Sequence, residues 1–216
     1  MSDSYNRIAA GDVGRIAALS DGVFAVAVTL LVLDIHAPER GEVHSEADLA
    51  AALVALAPRA LAWILSVMTL GIFWVGQHTQ LAQLERSDRD FAWASYLFLA
   101  AISALPFSTR VLAEFFDFRV ALGLYWANIL LCGATIYLTW RVAVARKLTR
   151  PDMSAGTDLA IRRRIEIAQA LYFVGMLLGL VHTLIGVGFI IAVQLNYAVA
   201  PFRPWRSGAD GEAGGE

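Results

Sequence analysis

Charge is scarce in this chain. Asp, Glu, Lys and Arg make up 17% of its 216 residues, against 58% apolar, whereas a soluble domain carries about a quarter charged residues. What charge there is falls in patches between long apolar runs, and mean hydropathy is +0.59, so the composition excludes an ordinary soluble domain and indicates an integral membrane protein. A net charge of -2 gives no basic surface for a nucleic-acid partner. The single cysteine, Cys132, excludes a disulfide framework and a thiolate metal site; within an apolar run it reads as a small core residue. No P-loop, GxSxG, HExxH or paired-His spacing occurs. His36, His44, His78 and His182 fall on different segments at both membrane faces, and Glu114 and Asp117 sit beside Arg110 and Arg119 as solvated charge. The residues thus indicate no metal, no cofactor and no enzymatic activity. A TVGYG-like segment is also missing, which excludes a standard potassium-channel filter. So is a cleavable signal pattern, and the first apolar segment is expected to be retained.

What is present is a series of apolar runs near the length of about 20 residues that spans a bilayer core. They cover 16–35, 60–84, 91–111, 120–144, 165–180 and 183–200. The pattern predicts an all-α, polytopic membrane protein with six transmembrane helices. In the last two, Val181, His182 and Thr183, flanked by Gly179 and Gly186, read as a tight turn between short helices; one bent helix is the alternative. Basic residues set the orientation. With a cytoplasmic N-terminus, only Arg40, Arg59, Arg110 and Arg119 of the 17 Lys and Arg lie outside. Both termini are then cytoplasmic, with an N-terminal segment 1–14, a membrane domain 15–204 and a disordered tail 205–216. Residues 36–58 form an acidic outer loop in which Ser45 and Asp48 mark the start of a short interfacial helix. The basic linker 149–164 faces lipid head groups.

The first segment is the most informative, because Arg15, Ser20 and Asp21 stand at its start. A polar cluster next to hydrocarbon is costly and usually functional, although Ser20 and Asp21 could simply cap the helix. Farther along, Gly22, Val26, Thr29 and Leu33 share one helical face with Leu30 beside them. In a lone helix that stripe packs, with Thr29 bonded back to its own backbone. In a pore it makes apolar constrictions that gate by dewetting. Asp34 could concentrate cations or mark the water interface. In the second segment Trp74 and His78 share a face, with Gln77 and Gln80 adding polar atoms, and qualify as donors to the Ser20/Asp21 cluster. Asn128 in the fourth segment also needs a partner in lipid.

Arg15, three residues, Leu19-Ser20-Asp21 and then GVFAVAVTLLVLDI resemble the RxxxFSD signature and first helix of the endosomal/lysosomal potassium-channel family, transmembrane protein 175, in its bacterial form. The resemblance is strongest from Arg15 to Ile35, continues through Trp74 and His78, and covers the six-span layout more loosely. It implies a homotetramer in the bacterial inner membrane that passes potassium, with the first helix of each subunit lining the path in place of a filter loop. It assigns the constriction to Val26, Leu30 and Leu33, and the hydroxyl associated with potassium preference to Thr29. It places Arg15, Ser20 and Asp21, with Trp74 and His78 as partners, in a polar network that anchors the first helix. Two positions depart from the family pattern. Leu19 replaces the signature Phe and keeps an apolar packing role without aromatic contacts. Val26 stands where a larger Ile is usual, which implies a wider neck.

The sequence therefore reads as a potassium-permeable cation channel whose partners are lipid, monovalent cations and copies of itself. The alternative is a small proton-coupled secondary transporter in which Asp21 or His78 titrates. A non-conducting membrane scaffold is the third reading.

Overall fold

A computed structural model describes residues 12–199; the N-terminal segment before Asp12 and the expected tail 205–216 lie outside the described residues. Among the described residues eight α-helices follow one another: α1 (Val13–Val32), α2 (Glu46–Ala55), α3 (Ala57–Ala82), α4 (Arg89–Ser103), α5 (Leu105–Glu114), α6 (Arg119–Ala145), α7 (Ala155–Val181) and α8 (Thr183–Val199). No strand occurs among the described residues, so the protein is all-α and, by its apolar helices, a multi-pass membrane protein. Five helical stretches are long and apolar enough to cross a bilayer: α1, α3, the combined Arg89–Glu114, α6 and Gly156–Val181, joined by the shorter apolar Thr183–Ala198.

Several boundaries differ from the expected ones for identifiable reasons. α1 begins at Val13, where the Asp12 carboxylate accepts the Gly14 N–H at 2.9 Å. Val13, Ile16 and Ala17 continue the helix by packing on the cluster of Leu81, Leu84 and Trp140. Ser20 and Asp21 thus sit two turns inside the helix, and the capping explanation for them does not hold. The third predicted span breaks at Ala104 into α4 and α5. Pro106 causes this, since its ring crowds the carbonyl of Ile102 and it has no N–H to donate. The region 165–200 is two helices with one extended residue, His182, between them. The first of these, α7, runs on through Arg162, Arg163 and Arg164 to Ala155, so much of the expected linker is helical. α2 is capped by Ser45, whose hydroxyl accepts the Asp48 N–H, while the Asp48 carboxylate accepts the His44 N–H.

The bundle is organised around α3, which touches α1, α2, α5, α6 and α8, while α1 packs on α3, α4 and α5. A buried polar layer ties the middle together. The Tyr125 hydroxyl lies 3.2 Å from Ser66 and 3.0 Å from Thr69; Ser66 meets Thr109 at 2.7 Å, and the Gln194 amide donates to Thr69 at 2.6 Å. Each polar side chain buried in the bundle needs such a partner. Asn128 finds its own in Ser108 and the carbonyl of Ala101. On the side where α1 begins, the loops after α3 and α6 are stapled. Glu85 N–H donates to Leu148 O, Arg150 N–H donates to Gln83 O, and Arg146 pairs with Asp88 and Asp90.

The α7–α8 hairpin closes through glycine. A Cβ on Gly186 would stand 2.6 Å from the carbonyl oxygen of Gly175 and from the Cα of Gly179, and so would collide with backbone. Gly188, one half-turn on, has open space around it. Gly186→Val is expected to cost about 3 kcal/mol or more through overpacking against rigid backbone. Gly188→Val should leave stability nearly unchanged. Thermal unfolding of the two purified variants in detergent checks the contrast.

Candidate conducting face and its anchor

Two opposite faces of α1 have different surroundings. Ser20, Phe24, Ala27 and Leu31 are buried, at the four–three–four spacing of one helical face. Phe24 packs on Phe98 with ring centroids 6.1 Å apart and the rings tilted, and Phe73 meets the same ring at the same distance. This face holds α1 against α3 and α4. Each side chain on it exchanges lipid for close packing, since apolar burial alone gives no net drive between helices in a bilayer.

The other face carries the residues singled out from sequence. Val26 is 58% exposed, Leu30 45% and Leu33 66%. Thr29 is exposed too, its hydroxyl donating to the carbonyl of Val26 at 2.9 Å. That bond directs the hydroxyl hydrogen to the helix and leaves the oxygen's lone pairs outward. Leu19 is half exposed and lines a shallow groove with Gly22, Val23, Val26, Ala27, Leu30 and Ser103. The groove is almost wholly apolar. Such a face either meets lipid, meets another subunit, or borders a narrow water path whose wetting it controls.

The start of α1 is fastened by two side-by-side bonds from α3. The Gln77 amide donates to Ser20 Oγ at 2.9 Å, and Ser20 in turn donates to its own helix at the carbonyl of Ile16. Both side chains are buried. One turn away, the Trp74 indole N–H donates to Asp21 Oδ1 at 2.8 Å on the exposed side. His78 does not reach Asp21 by a hydrogen bond; its ring lies against Trp74, centroids 5.6 Å apart. Arg15 is exposed, and its side chain pairs with none of the described residues. The structure thus brings Ser20, Asp21, Trp74 and His78 together and leaves Arg15 apart. It adds Gln77, which sequence reasoning noted only as a nearby polar atom. The available signal was its position three residues after Trp74, on the same face of α3.

At the far end of α1, Asp34 follows the last helical turn and lies 3.9 Å from Arg110 Nε of α5. The two ends of the helix are therefore tied differently: by buried, short hydrogen bonds at the start and by a loose ion pair at the finish.

Residues 15–106 match the family model described as endosomal/lysosomal potassium channel TMEM175. A potassium channel of Chamaesiphon minutus is 32% identical over 87% of this chain and 94% of its own length. The endosomal/lysosomal proton channel TMEM175 of Homo sapiens is 34% identical over 47% of this chain, a match covering 21% of the human protein. Among solved structures, the crystal structure of a lysosomal potassium-selective channel TMEM175 homolog from Chamaesiphon minutus superposes with a TM-score of 0.75 and 29% identity, covering 87% of this chain and 97% of that one.

Proposed function

Since the chain belongs to the TMEM175 family, we propose that it is a potassium-permeable cation channel in which α1 of each subunit borders the ion path. One observation carries this reading: α1 turns Val26, Thr29, Leu30 and Leu33 away from its own subunit while Ser20, Phe24, Ala27 and Leu31 hold it in place. Copies of the subunit, four by the resemblance, bring these faces around a shared axis. Val26, Leu30 and Leu33 then form apolar constrictions without a carbonyl filter, and Thr29 supplies the one hydroxyl between them. The buried face, clamped by Gln77 and flanked by the exposed Trp74–Asp21 bond, keeps the outward one at a fixed rotation. The subunits sit in the inner membrane with both termini cytoplasmic, in keeping with the basic residues on that side.

Reversal potentials of the purified protein in liposomes test the proposal. Opposed potassium and sodium gradients should give a reversal potential displaced toward the potassium equilibrium value, with no saturable co-substrate. A zero reversal potential would remove the potassium preference, and an absence of current would remove the channel. A proton-coupled transporter predicts a potential that follows the pH gradient and a flux that saturates. The human relative's description as a proton channel makes a pH-gradient arm part of the same measurement.

A further inference from the structure

We propose that Arg110 sets the charge that Asp34 presents to ions at the outer mouth, a proposal that rests on α1 bordering the path. Asp34 stands directly after Leu33, the last of the four outward-facing residues, where α1 ends and its terminal carbonyls leave the helix. A helix C-terminus carries the equivalent of about −0.5 charge, so carboxylate and helix end together favour cations. Arg110 opposes both. Its Nε lies 3.9 Å from Asp34 Oδ1, too far for a hydrogen bond, and its side chain is 64% exposed against 22% for the carboxylate. The pair is loose and solvent-screened, the kind that contributes little to stability. Arg110 therefore acts less as a clamp than as a neutralising charge beside the path.

Counting one subunit, the pair and the helix end sum to about −0.5. Without Arg110 the sum becomes about −1.5, and without Asp34 it becomes about +0.5. The two single substitutions should therefore move cation conductance in opposite directions. Removing both charges restores the original sum and should restore the original conductance. A structural clamp behaves otherwise: loss of either partner breaks it in the same sense, and loss of both does not repair it.

The experiment compares the parent with Arg110→Gln, Asp34→Asn and the double variant in planar bilayers, at low and high KCl. At about 10 mM salt, where the screening length is about 30 Å, R110Q should raise potassium conductance about two- to fivefold and D34N should lower it by a similar factor. The double variant should match the parent. At about 1 M salt, with screening over about 3 Å, all four should converge. Changes of the same sign in both single variants, unchanged conductance, or effects undiminished at high salt would overturn the proposal. Leu33→Ala serves as the reference. If it raises conductance while the charge variants are silent, only this inference fails; if it and Leu30→Ala are both silent, the reading of α1 as bordering the path fails with it.

Discussion

Leu30→Ala and Leu33→Ala should each raise potassium flux about tenfold, the change produced by lowering a barrier by about 1.4 kcal/mol. In the proposed ring, each substitution removes three carbons per subunit from an apolar surface that expels water, so the neck should both widen and wet more readily. The fold should tolerate the change. Leu30 and Leu33 are 45% and 66% exposed in the subunit, so truncation leaves no cavity inside it. Leu31 makes the decisive comparison. It follows Leu30 immediately and has the same chemistry, but it is 1% exposed and belongs to the central core. Leu31→Ala should cost about 2–5 kcal/mol and reduce the yield of folded protein without opening the path. Potassium efflux from liposomes, normalised to folded protein, separates the two effects. Unchanged efflux in both Leu30→Ala and Leu33→Ala would remove these side chains from the ion path.

That contrast between neighbouring leucines also marks where the sequence could and could not be read. The apolar runs were legible because bilayer thickness sets their length, and the break at Val181-His182-Thr183 because glycines crowd around it. Helical period put Val26, Thr29 and Leu33 on one face of α1, but period alone did not say whether that face packs or looks outward. The helix start did not, because Asp12 is one polar residue among several and only the packing of Val13, Ile16 and Ala17 on α3 and α6 selects it. Ser20 and Asp21 looked alike in sequence, as adjacent polar residues. They are 100° apart around the helix, so one is buried against Gln77 and the other exposed beside Trp74. The pairing of Asp34 with Arg110 was not legible either. It joins residues far apart in sequence, one on α5 and one just past the end of α1.

The division of labour between Ser20 and Asp21 leads to the second large effect. Asp21→Ala should weaken the assembled channel while leaving the ratio of potassium to sodium permeability unchanged. The carboxylate accepts the Trp74 indole N–H at 2.8 Å, a charge-assisted bond of the stronger kind. It lies on the exposed side of the α1–α3 contact, where the subunit's own atoms do not cover it. Its loss frees Trp74, 41% exposed, to change rotamer on a face that the proposed assembly would have to match. The inner bond from Gln77 to Ser20 survives, so α1 stays on its subunit and the stripe from Val26 to Leu33, one to three turns away, keeps its rotation. Ser20→Ala should act in the other order. It strands the Gln77 amide, 4% exposed, at a cost of about 1–3 kcal/mol for an unpaired buried donor, and so should lower subunit stability before it affects assembly. Light scattering on the purified protein reports the oligomer, thermal unfolding reports the subunit, and reversal potentials report selectivity. An Asp21→Ala protein that remains fully assembled but changes its ion preference would place the carboxylate in the ion path and contradict its role as an anchor.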